Sequence, residues 1–145
     1  MISEGNLYLL KQSLLRHEGF RSKPYKDTVG KMTIGIGRNL DDVGITKDEA
    51  FYLLNDDINT AIISLNVIPF LDEIDQVRQC VLIEMCFNMG INRLLQFKNM
   101  LSALEAKEYD KAANEMLDSK WAKQVGERAL HLAFTMRSGR FMVVS

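Results

Sequence analysis

The segment HEGFRSKPYKDTVGKMTIGIG, residues 17–37, decides the fold because the sequence pattern changes within it. Before the segment, leucines recur at helical spacing, so we predict an amphipathic helix that begins after the N-cap Ser3 and ends at Gly19. Inside the segment, β-branched and aromatic side chains are interrupted by glycines. This pattern predicts a small β-hairpin or three-stranded meander with a turn at residues 27–31.

After the segment, the sequence pattern is helical. Thr46, with Glu49 three residues later, forms a capping box at the start of one long helix. An almost wholly apolar helix is predicted near residues 76–89, with Asp72 or Asp75 as its N-cap, and it is the expected core. Three further helices are predicted, at residues 93–106, 109–117 and 126–137.

These patterns predict a mostly helical α+β fold. We expect a single domain over residues 1–145 with two lobes. Residues 20–66 form the small α+β lobe with its connecting helix, and residues 1–19 and 67–145 form the helical lobe. A cleft between two lobes is the natural place for a functional site.

The composition excludes several classes of partner. Lys and Arg number 18 and Asp and Glu number 19, which gives a net charge of −1, so we expect no nucleic-acid partner. No uncharged apolar stretch approaches the roughly 18 residues of a membrane span, and charged residues interrupt residues 1–20, so neither membrane insertion nor a signal peptide is predicted. Cys80 and Cys86 are separated by about 9 Å of helical rise, too far for a disulfide.

Glu18, Asp27 and Thr33 are the candidate catalytic residues. Glu18 is placed at a helix end, Asp27 at a turn and Thr33 on a returning strand, so the three side chains could face one gap. Glycosidic hydrolysis needs one carboxylic acid that donates a proton and one carboxylate that activates water. The residues alone leave a second interpretation open, in which the three are a surface acid, a turn residue and an ordinary strand residue.

The same segment resembles the active-site signature of the phage-type lysozymes, glycoside hydrolase family 24. That signature is Glu-Gly, then Tyr-x-Asp-x-x-Gly, then Thr-Ile-Gly-x-Gly, and the chain has eight residues between Glu18 and Asp27 and five between Asp27 and Thr33, as in the family. The similarity covers nearly the whole chain and continues at residues 44–50, 87–90, 97, 109–113, 119–121, 128–129 and 137–139.

The resemblance implies a role for each candidate residue. Glu18 is the proton donor, and Asp27, helped by Thr33, positions or activates water. Inversion at the anomeric carbon is favoured over a covalent intermediate on Asp27. Arg128 resembles a family arginine that faces the acid, and Asn88 occupies a position where a family amide contacts sugar. A solvated arginine and an interhelical hydrogen bond are the alternatives for these two.

Two further positions are singled out. Arg38 stands where many relatives have His, so the contact it makes should be insensitive to pH over the neutral range. Trp121, the single tryptophan, could stack on a sugar, but its helical spacing in the C-terminal lobe favours packing in the core.

The resemblance implies a two-lobed lysozyme-like fold and a specific activity. We expect an N-acetylmuramidase that cleaves the β-1,4 bond between N-acetylmuramic acid and N-acetylglucosamine in bacterial peptidoglycan, with no metal ion and no cofactor. We expect a monomeric phage endolysin that stays in the host cytoplasm until a holin pore gives it access to the periplasm and cell wall. The alternatives are a peptidoglycan-binding relative without catalysis, and a lytic transglycosylase, which would release anhydro sugar ends.

Overall fold

The computed structural model describes residues 1–142 of the chain. Within these residues lie eight α-helices and one three-stranded antiparallel sheet, which confirms the mostly helical α+β fold. The chain divides into two compact units, Met1–Tyr52 and Leu53–Ser145. The predicted grouping of residues 1–19 with 67–145 stays a prediction.

The first unit begins with helix α1, Glu4–Glu18. The side chain of Ser3 accepts a hydrogen bond from the amide of Asn6 at 3.2 Å, so the predicted N-cap is confirmed. The helix ends at Gly19, whose φ of +74° is readily adopted by glycine and whose amide donates to the carbonyl of Leu15. None of the side chains of α1 is buried.

The strands β1 (Arg21–Lys26), β2 (Met32–Gly35) and β3 (Arg38–Asn39) follow as an antiparallel meander in the order β1-β2-β3. In the turn between β1 and β2, the amide of Asp27 donates to the carbonyl of Lys31 at 2.9 Å. The predicted meander and its turn are therefore confirmed.

Helix α2, Lys47–Leu65, begins with the predicted capping box. The amide of Glu49 donates to Thr46 Oγ1 at 3.1 Å, and the amide of Thr46 donates to Glu49 Oε1 at 2.9 Å. Two amides at the start of the helix, which have no partner within it, are therefore satisfied reciprocally.

The second unit is built around helix α3, Gln76–Met89. Asp75 caps this helix by accepting from the amide of Arg78, whereas Asp72 lies in a short 3-10 turn, Leu71–Glu73. The helix places five buried residues in the unit, as expected for a core helix: Arg78, Val81, Leu82, Met85 and Cys86.

The helices after α3 are α4 (Ile91–Leu94), α5 (Lys98–Glu105), α6 (Tyr109–Leu117), α7 (Lys120–Val125) and α8 (Glu127–Ser138). The predictions at 109–117 and 126–137 correspond to α6 and α8. The single helix predicted at 93–106 is wrong, because the backbone leaves the helical conformation at Phe97, where ψ is +57°.

Helix α7 was not predicted. The side chain of Ser119 caps it by accepting from the amide of Ala122 at 3.1 Å. Its first turn buries Trp121, which is 2% exposed and packs edge-on against Phe97 with ring centroids 6.2 Å apart. The core position predicted for Trp121 is therefore confirmed.

Both cysteines are free thiols, as their predicted separation requires. Cys86 is buried, and this burial raises the pKa of its thiol. No helix among residues 1–142 is both long and apolar enough to cross a membrane.

Candidate active site

Glu18 is the last residue of α1, and its carboxylate lies against Gly37 in the turn between β2 and β3. A Cβ built on Gly37 would be 2.8 Å from Glu18 Oε2, closer than real Cβ atoms approach other groups. Gly37 has a φ of +71°, a second reason why glycine suits this position. The space left by the missing side chain is filled by the Glu18 carboxylate.

Asp27 is half-buried at the start of the turn that joins β1 to β2. Its Oδ1 accepts hydrogen bonds from the amides of Val29 at 2.9 Å and Lys31 at 2.8 Å. Because both amide donors bond the same oxygen, they fix the orientation of the carboxylate, and Oδ2 is the oxygen that can bind a further donor.

Thr33 is 4% exposed, on the central strand β2, where it pairs with Tyr25 on one side and Asn39 on the other. Its hydroxyl donates to the carbonyl of Lys31 at 3.0 Å. Since the hydroxyl has one hydrogen, its oxygen is left as an acceptor for any further partner. The backbone of Lys31 therefore contacts both Asp27 and Thr33 and holds the two side chains in a common framework.

Arg38 forms a bidentate ion pair with Glu49. Its Nη1 and Nη2 donate to Glu49 Oε1 and Oε2 at 2.8 and 2.6 Å, and Nη1 also donates to the carbonyl of Gly44 at 3.1 Å. The hydrogen bond from Arg38, with that from the Thr46 amide, lowers the pKa of Glu49 to about 2. Both partners are therefore charged throughout the neutral range, as expected for the contact of Arg38.

The other two candidate residues lie in the second unit. Arg128, on α8, donates through Nε to Glu84 Oε2 at 2.8 Å. Asn88, on α3, accepts through Oδ1 from the indole Nε1 of Trp121 at 2.8 Å, which is the interhelical hydrogen bond named above as its alternative role. The contacts of Arg128 with the acid and of Asn88 with sugar stay predictions.

The structure brings Glu18, Asp27 and Thr33 into one compact unit. Sequence reasoning identified the three but missed the groups that support them. The contact of Glu18 with Gly37 had a signal, the second glycine of the Gly-x-Gly motif. Glu49 was recognised only as a capping residue, and no sequence pattern indicated a role for Glu84.

Within residues 1–142, no group of three or more His, Cys, Asp or Glu residues is arranged to hold a metal ion.

Comparisons with known proteins identify the family to which the chain is similar. The family model described as phage lysozyme matches residues 15–137, a range that contains all five candidate residues. The probable T4-type lysozymes 1 and 2 of Dictyostelium discoideum are 31% and 28% identical to the chain, each over 90% of it and 94% of the relative. The pre-baseplate central spike protein Gp5 of Enterobacteria phage T4 is 28% identical over 90% of the chain and 28% of that protein.

Proposed function

The chain belongs to the phage lysozyme family and is a lysozyme, a muramidase-like hydrolase of peptidoglycan, and we propose that Glu18, Asp27 and Thr33 carry out its reaction. The observation that carries the proposal is the contact of the Glu18 carboxylate with Gly37. This contact joins the acid at the end of α1 to the turn that follows the Thr33 strand. The bond cleaved is the β-1,4 link between N-acetylmuramic acid and N-acetylglucosamine.

Glu18 acts as the general acid. In its protonated form it donates the proton to the glycosidic oxygen as the bond to the anomeric carbon breaks. Its location at a helix end, exposed and against a glycine, supports this role because substrate can reach the carboxyl group without displacing another side chain.

Asp27 and Thr33 bind and activate the attacking water. Asp27 Oδ1 is occupied by two amides, so Oδ2 accepts one hydrogen of the water. The Thr33 hydroxyl donates to the Lys31 carbonyl, so its oxygen accepts the other hydrogen. A water held by two acceptors directs a lone pair at the anomeric carbon. As the water attacks from the face opposite the leaving group, Asp27 takes the proton that it loses, and the product has the inverted configuration.

The first test is mass spectrometry of the fragments released from purified peptidoglycan. Wild-type protein should release reducing muramic acid ends. Glu18→Gln removes the acidic proton with little change of shape and should lower the rate by about 10²-fold or more. Glu4→Gln, at the opposite end of the same helix, is the matched control and should behave as wild type. Anhydro ends would identify a lytic transglycosylase, and an equally active Glu18→Gln would refute the assignment of the acid.

The second test is the anomeric configuration of the product. Proton NMR recorded during the first turnovers on a soluble glycan should show the α anomer before mutarotation. Initial formation of the β anomer would instead indicate a covalent intermediate on Asp27.

We also propose that the protein acts as a monomeric endolysin. Peptidoglycan lies outside the cytoplasmic membrane, so a lysozyme retained in the host cytoplasm reaches its substrate through a holin pore. Expression in a bacterial cell should cause lysis only when a holin is co-expressed, and lysis without holin would contradict this route. Light scattering of the purified protein should give the mass of one chain, 16.6 kDa.

A further inference from the structure

The guanidinium group of Arg38 connects β3 to the beginning of α2. It bonds both carboxylate oxygens of Glu49 and the carbonyl of Gly44, three acceptors that lie on the loop before α2 and on its first turn. A bidentate contact restricts the rotation of the planar guanidinium more than a single-point contact does. The start of α2 therefore fixes the position of Arg38.

Arg38 is adjacent to the glycine that supports the catalytic acid. Gly37 lies against the Glu18 carboxylate, and the backbone of Arg38 pairs with Ile34 of β2. The following residue, Asn39, pairs with Thr33. A shift of Arg38 therefore displaces both the surface on which Glu18 lies and the strand opposite Thr33.

We propose that Arg38, held by Glu49, is a positioning residue for glycosidic cleavage that fixes the turn at 35–38 so that Gly37 sets the place of the Glu18 carboxylate. This rests on the proposed role of Glu18 as the proton donor. Arg38 acts through Gly37 and not on the substrate. Its loss should therefore lower kcat and leave KM unchanged, because proton donation depends on sub-ångström placement more than substrate binding does.

The test compares variants of the pair with a control that weakens the same helix end. Arg38→Met removes all three hydrogen bonds and should lower kcat on soluble glycan fragments about tenfold, with KM within about twofold of wild type. Arg38→Lys retains the positive charge but cannot form the bidentate contact, so its kcat should lie between those of Arg38→Met and wild type. Glu49→Gln added to Arg38→Met should lower kcat no further, because the two residues act as one unit.

Thr46→Ala is the control. It removes the N-cap of α2 while retaining the Arg38–Glu49 pair and the Thr46 amide that donates to Glu49. It should lower Tm by a few degrees and leave kcat unchanged. If Thr46→Ala lowers kcat as much as Arg38→Met at the same fraction folded, the effect is general destabilisation and the inference is wrong.

A second readout separates this inference from the proposed function. The carboxyl-carbon NMR resonance of Glu18, assigned by its loss in Glu18→Gln, should shift in Arg38→Met and not in Thr46→Ala. A wild-type kcat in Arg38→Met, with Glu18→Gln inactive, overturns the inference alone. If Glu18→Gln keeps the wild-type kcat, the proposed function fails, and the Glu18 resonance decides whether Arg38 positions that side chain.

Discussion

Replacing Gly37 with alanine should separate catalysis from stability. The new Cβ would lie 2.8 Å from Glu18 Oε2, whereas ordinary contact begins at 3.4 Å, so the carboxylate must move by about 0.6 Å. Glu18 is exposed, and the clash is with the outer part of its side chain, so a small rotation of that side chain relieves it at little cost in stability. The cost in stability comes from the φ of +71°, and is about 1 kcal/mol. A domain stable by about 5 kcal/mol or more remains over 99% folded after such a loss.

Activity should fall much further than stability. A displacement of 1 Å can cost about 10²-fold in rate, so a movement of roughly half that size should lower kcat about tenfold. Steady-state hydrolysis of soluble glycan at 25 °C, with Tm measured in parallel, tests this. Gly35→Ala is the matched control, because Gly35 has a φ of +69° and no atom within 4 Å of its added Cβ. Equal losses of kcat in the two variants would refute the contact argument.

Two further predictions concern ion pairs. Arg78→Met should lower the free energy of unfolding by about 2–4 kcal/mol, because it leaves the carbonyls of Met136 and Arg137 without their buried donor. In urea unfolding, the midpoint should fall while the m-value stays unchanged. Glu49 has a folded pKa of about 2 against an ordinary 4.5, so the stability it contributes is complete above about pH 5 and is lost as the pH falls towards 2. The Tm difference between wild type and Glu49→Gln should therefore shrink over that range, and a constant difference would contradict the assignment.

Contacts between near neighbours in the sequence were predictable, whereas distant pairings were not. The Thr46 and Glu49 capping box joins residues three apart, so its pattern is visible in the sequence itself. The side chain of Arg78 reaches a carbonyl 58 residues away, and nothing in the local sequence specifies that partner. The break between α4 and α5 near Phe97 escaped prediction for a different reason, since no Gly or Pro marks it in the sequence.

The candidate site shows the same division at smaller scale. Asp27 receives its two hydrogen bonds from amides two and four residues later, so its turn geometry followed from the local sequence. Glu18 instead depends on a glycine 19 positions away. The resemblance identified Glu18 and Thr33 from their spacing within the motif. The contact between the Glu18 carboxylate and Gly37, in the turn after the strand of Thr33, is visible only in the folded meander.

The Arg38–Glu49 pair has a consequence for the pH dependence of the enzyme. A histidine at position 38 would titrate near neutral pH, and the turn beside Glu18 would then lose a charged contact in the range where catalysis is measured. Arg38 has its pKa raised by Glu49, and Glu49 has its pKa held at about 2, so neither partner changes charge between about pH 4 and pH 11. The support of Gly37 is therefore constant across that range. Any change of kcat with pH in the neutral range must therefore arise from groups other than this pair.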